Sequence, residues 1–132
     1  MPPLNYTVTN TVLTTAQDSG SIRLFHGTRM EMAESIVEFG VNYGRAKACG
    51  ASGEFWVTKV HEVAEHYSQL PPYVGASVIL AFDLPEKSVE HCLQQYPEPW
   101  VMDHLDGRYQ FFSPSYPVLN SQMTNITITI NA

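Results

Sequence analysis

Cysteine is nearly missing from this chain of 132 residues: Cys49 and Cys92 are the only two. They form no C-x-x-C unit and are too few for a zinc set, and they are either two free thiols or one disulfide. Basic residues are also scarce, with 7 Lys and Arg against 13 Asp and Glu, for a formal charge of -6. No run of Lys or Arg occurs, which argues against the broad basic face of a nucleic-acid binder. A small anionic ligand stays open, because one or two arginines and a helix N-terminus are enough for a phosphate. No apolar stretch approaches the ~20 residues of a membrane helix, so no membrane partner is expected. The start M-P-P-L-N-Y-T-V lacks the basic and apolar regions of a signal peptide, and the chain reads as soluble and intracellular. N-Y-T at 5–7 and N-I-T at 125–127 fit the glycan-acceptor triplet, which is common by chance. There is no G-x-S-x-G elbow, no P-loop and no G-x-G-x-x-G. No Asp or Glu follows Asp106.

What is present is an ordinary globular composition, 44% hydrophobic and 15% charged, in a length that makes one domain over 1–132. A chain of this size buries roughly two-thirds of its unfolded surface and needs no metal or disulfide to fold.

Residues 1–21, rich in Thr, Ser and Asn, read as an extended N-terminal arm or edge strand. A short strand follows over 22–26. Ala33, Ile36, Val37 and Gly40 keep the i, i+3, i+4, i+7 spacing of a helix over 29–39, with Glu31, Glu34 and Glu38 on its other side. Thr28 and Glu31 have capping-box spacing, and Gly40 stands where a left-handed glycine closes a helix. Residues 41–53 are a glycine-rich basic loop and 54–57 a strand. Thr58 is placed to cap a second helix carrying Val60, Val63, Ala64 and Tyr67, which Pro71-Pro72 ends. The most apolar run, 76–83, reads as a central strand. A short helix over 86–95, a loop over 96–108, and strands at 109–112 and 124–130 complete the pass. In T-N-I-T-I-T-I the isoleucines face one way. Helices early and strands late predict an α+β fold.

H-E-V-A-E-H at 61–66 has the residue types of a zinc site, but its histidines are five apart, about 100° from the i, i+4 alignment that zinc needs. His61 with Glu65, and Glu62 with His66, read as charge pairs on the solvent side. Cys49, with Lys47 and Arg45 nearby to favour thiolate, is a candidate nucleophile without an identifiable orienting histidine. A thiol- or metal-dependent hydrolase using Cys49, His61 or His66 is therefore one alternative reading.

The pair His26-Gly27 closes the apolar run I-R-L-F. It is followed by a helix ending in Gly40, a glycine-rich basic loop, G-E-F-W-V-T, and a helix with Ala64 and Tyr67. This ordered set over residues 22–68 resembles the ADP-ribosyltransferase superfamily, in its histidine-first branch with the poly(ADP-ribose) polymerases. The resemblance implies a split, mostly antiparallel sheet with two main helices and NAD as the substrate in a cleft, with no metal. It implies that His26, Gly27 and Thr28 line the NAD site, with His26 on the ribose hydroxyls and the Gly27 backbone on the carboxamide. It assigns Arg45 to the pyrophosphate and Phe55 and Tyr67 to the rings around nicotinamide, with His66 as the alternate to Tyr67. The family's third motif is a glutamate on a late strand, which this chain lacks. Gln122, before the last strand, takes that catalytic place, with Gln110 as runner-up. The resemblance then implies mono-ADP-ribosyl transfer, slow NAD cleavage, or NAD binding without turnover, and no polymer growth. The acceptor is protein, nucleic acid, a small molecule or water. A non-catalytic protein-interaction module of the same fold is the remaining alternative.

Overall fold

The computed structural model describes residues 4–42, 55–69, 76–94, 108–111 and 115–130. In chain order the elements are β1 (Tyr6–Thr9), β2 (Ser21–Arg29), α1 (Met30–Phe39), β3 (Phe55–Thr58), α2 (His61–Ser68), β4 (Ser77–Pro85), α3 (Glu86–Gln94), β5 (Arg108–Phe111), α4 (Tyr116–Gln122) and β6 (Thr124–Ile130). They form one six-stranded sheet in the order β1-β6-β4-β2-β3-β5. The β1–β6 pair is parallel and the other pairings are antiparallel. The fold is mixed α and β, in line with the α+β expectation.

Residues 78–84 of β4 are all buried, as a strand covered on both faces must be. On one face, α1, α3 and α4 cover the main core, with Ala33, Val37, Val89 and Leu119 packed on Leu24, Phe55, Leu80, Phe82 and Ile128. Each such side chain contributes roughly 1.5–3 kcal/mol by leaving water. On the other face α2 sets Ala64 against Phe25, Ile79 and Ala81, joined by Val12 from the arm.

Three local expectations are corrected. First, β2 does not stop at residue 26. It pairs with β4 from Ser21↔Pro85 to Arg29↔Ser77, and the Met30 amide still donates to the Ala76 carbonyl at 2.9 Å. The long apolar β4 offers a full ladder, and that outweighs an early turn at Gly27. Second, Thr28 is therefore a buried strand residue, and the N-cap of α1 is Arg29, without a side-chain cap bond. Third, α4 was not expected, although Pro117 near its first turn suits a helix start. The fold thus has four described helices rather than two main ones.

Other signals hold. Gly40 has φ 80 and sends its N–H to the Ile36 carbonyl at 2.7 Å, a backbone geometry that favours glycine. Thr58, by contrast, does not cap α2: it is the last residue of β3, its Oγ1 accepts from the Val60 amide at 3.0 Å, and the N-cap is Val60, without a side-chain cap bond. After Gly40, Asn120 of α4 clamps the chain: its Oδ1 accepts from the Val41 amide at 2.8 Å and its Nδ2 donates to the Val41 carbonyl at 3.0 Å. Asn120→Ala leaves both backbone groups without their partner and is expected to cost about 1–3 kcal/mol in urea unfolding. An unchanged midpoint would show that the clamp is not a stabilising contact.

Candidate functional site

The site region is the place where the sheet comes apart. At the two ends of the β2–β4 register, the Glu86 amide donates to the Gly20 carbonyl and the Met30 amide to the Ala76 carbonyl. Hydrogen-bonded pairs alternate along an antiparallel ladder. Even-numbered residues of β2 therefore exchange bonds with β4, and odd-numbered ones direct their N–H and C=O toward β3. Phe25 uses that side to pair with Thr58. The next odd residue is Gly27, and the same register would set it against Trp56. Among the described residues, β2 and β3 pair only at Phe25↔Thr58. The Trp56 carbonyl instead meets the His26 ring, with Nδ1 at 2.6 Å. The two strands thus part just after Phe25, and the Gly27 peptide groups face the gap.

That contact orients the His26 ring. A carbonyl only accepts, so Nδ1 carries a proton, and in the neutral ring Nε2 holds the lone pair. The residue is half-buried, and its ring lies 4.6 Å from the Phe55 ring. Burial pushes the imidazole pKa down, opposed in part by the bond to the Trp56 carbonyl. His26 is therefore neutral at pH 7, a hydrogen-bond acceptor at Nε2.

Gly27 is required by packing as well. A Cβ there would overlap the Ala64 carbonyl oxygen and lie 2.8 Å from the Ser68 amide nitrogen. Helix α2 therefore rests its own backbone on the Gly27 Cα. Ser77 of β4 holds that helix end, donating from Oγ to Ser68 Oγ at 2.8 Å.

The expected rings are not brought together. Directly paired residues share a face, so Thr58 lies on the face of Phe25 and Gly27, and Trp56 with it. Phe55 points the other way, is 4% exposed, and stacks on Phe82 at 6.3 Å within the main core. Tyr67 is half-buried on α2, across the sheet from Phe55. His66 is exposed, with its ring 5.6 Å from that of Tyr67. The strand ring on the α2 face is Trp56, half-buried. Alternation within the sequence says only that Phe55 and Trp56 face opposite ways; the Phe25↔Thr58 pair decides that Trp56 is the one on this face.

Gln110 and Gln122 are far apart in the topology. Gln110 is on β5, directly across from Trp56. Gln122 is the exposed last residue of α4, at the foot of β6, and β4 lies between β6 and β2. The runner-up is the nearer of the two, with β3 between it and the gap. Thr28 stays buried in β2 opposite Val78. Arg45 and Cys49 lie outside the described residues.

His61 and His66 do not converge. The edge of the His61 ring packs on Phe25, centroid to centroid 5.7 Å, and His61 Nδ1 lies 4.0 Å from Glu65 Oε2. The i, i+4 pair is present, but His61 is turned inward rather than to solvent, with its side chain 17% exposed. Among the described residues, no three His, Cys, Asp or Glu side chains gather as a metal site would need.

A second polar cluster went unread in the sequence. Arg23 and Asp83 form a buried ion pair at 3.0 Å, on the same sheet face as Phe25. Burial alone would raise the Asp83 pKa. Hydrogen bonds from the Gln17 amide, the Asn125 side chain and Arg23, with the Arg23 charge, outweigh it and hold the carboxyl below its ordinary range. Its bonds tie the arm to β2, β4 and β6, and along the register the pair lies on the side of Phe25 away from Gly27. Compared with known protein families, curated proteins and solved structures, the chain matches none.

Proposed function

We propose that the protein binds NAD in the gap between β2 and β3, as a split-sheet relative of the ADP-ribosyltransferases, and transfers a single ADP-ribose slowly. The observation that carries this reading is the end of the β2–β3 ladder at Phe25↔Thr58, which turns the Gly27 peptide groups into the gap. A carboxamide presents one carbonyl acceptor and an NH₂ donor, the complement of one residue's N–H and C=O. Trp56 and Tyr67 supply flat surfaces on the α2 face for the ring that carries the amide. The His26 Nε2 lone pair accepts from a ribose hydroxyl.

In the reaction the bond between C1′ and the nicotinamide nitrogen breaks, and nicotinamide leaves with the bonding pair as a neutral molecule. C1′ becomes oxocarbenium-like, an acceptor nucleophile adds to it, and the acceptor gives up its proton. Gln110 lies on β5, opposite Trp56 and one strand from the gap. In this reading a glutamine takes the place of the third-motif glutamate and supplies no negative charge to the cation, so turnover is slow.

The test is a thermal-shift titration with nicotinamide and with NAD, alongside nicotinamide release from NAD. Ligand at 100 times its dissociation constant adds about 2.7 kcal/mol of stability. The NAD shift is expected to vanish in His26→Ala and Trp56→Ala variants that keep the wild-type circular dichroism. It is expected to weaken as pH falls through the His26 pKa of the folded protein, which lies below the ordinary 6.5, because protonation of Nε2 removes the acceptor. Gln110→Glu is expected to speed nicotinamide release about tenfold or more, a gain of about 1.4 kcal/mol, while Gln122→Glu leaves it unchanged. A melting temperature indifferent to millimolar NAD overturns the binding reading. Binding without release in both wild type and Gln110→Glu favours the non-catalytic module instead.

A further inference from the structure

A pocket of about 170 Å³ opens on the main-core face, at the end of the sheet away from the Gly27 gap. The register explains its place. Ile22 stands near the start of β2, Lys59 directly follows β3, Tyr109 is near the start of β5, and Glu86 opens α3 directly after β4. The apolar walls are Ile22, Val89 and the Tyr109 ring, all packed against the main core. The rim carries Lys59, Glu86 and Glu90, all exposed. Lys59 Nζ stands 5.7 Å from the centre of the Tyr109 ring, within cation–π range. Among the described residues, Lys59 forms an ion pair with neither glutamate. Glu86 and Glu90 are one turn apart on the same flank of α3, where like charges repel. One cation and two carboxylates thus border an apolar floor without neutralising one another.

We propose that this pocket binds a free α-amino acid with an aliphatic side chain. Lys59 meets its carboxylate, Glu86 and Glu90 meet its ammonium, and Ile22, Val89 and Tyr109 enclose its side chain. The charges select this class. A simple carboxylate would be opposed by Glu86 and Glu90, and a simple amine by Lys59. A ligand that carries both charges on one carbon satisfies the whole rim. The volume agrees with it. At about 30 Å³ per water the pocket has room for roughly six waters, which suits a branched aliphatic side chain and is too little for a nucleotide. The charged groups are exposed, so each contact is weak and dissociation falls in the millimolar range.

An amide chemical-shift titration of the isotope-labelled full chain with L-leucine reads both affinity and place. Shifts are expected at Ile22, Lys59, Val89 and Glu90, and none at Gly27. Isocaproate, which lacks the ammonium, and leucinamide, which lacks the carboxylate, are expected to bind about tenfold more weakly. Lys59→Met is expected to bring leucine down to the level of leucinamide, and Glu86→Gln with Glu90→Gln to bring it down to that of isocaproate. The amide spectrum of each variant shows that it is folded. No shifts at tens of millimolar leucine, shifts confined to other residues, equal affinity for the three compounds, or folded variants that bind leucine like wild type each overturn the proposal. The pocket lies on the opposite face and at the opposite end of the sheet from the gap, and the titration contains no NAD. Its outcome is therefore separate from that of the proposed function.

Discussion

Asp83→Ala is expected to cost about 3–5 kcal/mol in chemical unfolding, because removing one partner of a buried ion pair leaves the other charge uncompensated. The side chains of Arg23 and Asp83 are 2% and 0% exposed. Asp83 Oδ1 accepts from Arg23 at 3.0 Å, and Oδ2 accepts from the Gln17 amide at 2.7 Å and from Asn125 Nδ2 at 2.9 Å. Arg23 donates further to the carbonyls of Leu13 and Asn125 and to Thr127 Oγ1. The pair thereby ties the arm, β2, β4 and β6 together. Asn125 itself has φ 50, beside the register shift between Ala81 and Asp83 that lets its backbone carbonyl reach Arg23. An apolar swap of both charges, Arg23→Met with Asp83→Leu, is expected to remain destabilised. It leaves the Gln17 amide and the Leu13 and Asn125 carbonyls without partners, where a simple ion pair would be replaceable.

The pH dependence follows from the same residue. The Asp83 pKa is lower in the folded than in the unfolded chain, so its contribution is present above the ordinary carboxylate value of 3.8 and is lost as pH falls through the lower folded value. His26 acts at a higher pH with the same direction. Its folded pKa is lowered, so the unfolded chain binds more protons, and stability declines as pH drops below the ordinary 6.5. Urea midpoints measured across both windows, with Asp83→Ala flattening the acid limb, check the assignment. An Asp83→Ala protein as stable as wild type at pH 7 would show that the pair holds nothing.

Gly27→Ala is the second large effect, expected to destabilise by about 3 kcal/mol, the upper part of the range for overpacked sites. In most strands the change from Gly to Ala is favourable by about 0.5–1 kcal/mol. Here the sign reverses, because the new methyl meets the Ala64 carbonyl and the Ser68 amide, which are backbone atoms of α2 and cannot rotate aside. Ala64→Gly in the same protein is expected to give no rescue, since the obstruction is not the Ala64 side chain. On the proposed reading, displacing α2 from Gly27 is expected to lower the stabilisation by NAD together with global stability. Rescue by Ala64→Gly, or a Gly27→Ala protein with wild-type stability, would show that the helix does not rest on the Gly27 backbone.

Much of the frame could be read from local pattern. The apolar periodicity of α1, the positive-φ glycine that ends it, the buried run of β4 and the alternation of β6 are consequences of side-chain period and backbone sterics, which act over a few residues. The strand running up to His26 was legible for the same reason, but its continuation through Gly27 was not. The tertiary structure decided everything that depends on which strand lies beside which. It carried β2 on to Arg29 because β4 offers a ladder of nine residues. It ended the β2–β3 ladder at Thr58 and gave the Trp56 carbonyl to the His26 ring. It sent Phe55 into the core and left Trp56 on the α2 face, a choice set by a single cross-strand pair. It set Gln110 one strand from the gap, with Gln122 farther off at the foot of β6. It also joined Arg23 to Asp83, 60 residues apart along the chain. Sequence period says that residues alternate; which face of a strand is inside, and which charge meets which, depends on neighbours brought together only by folding.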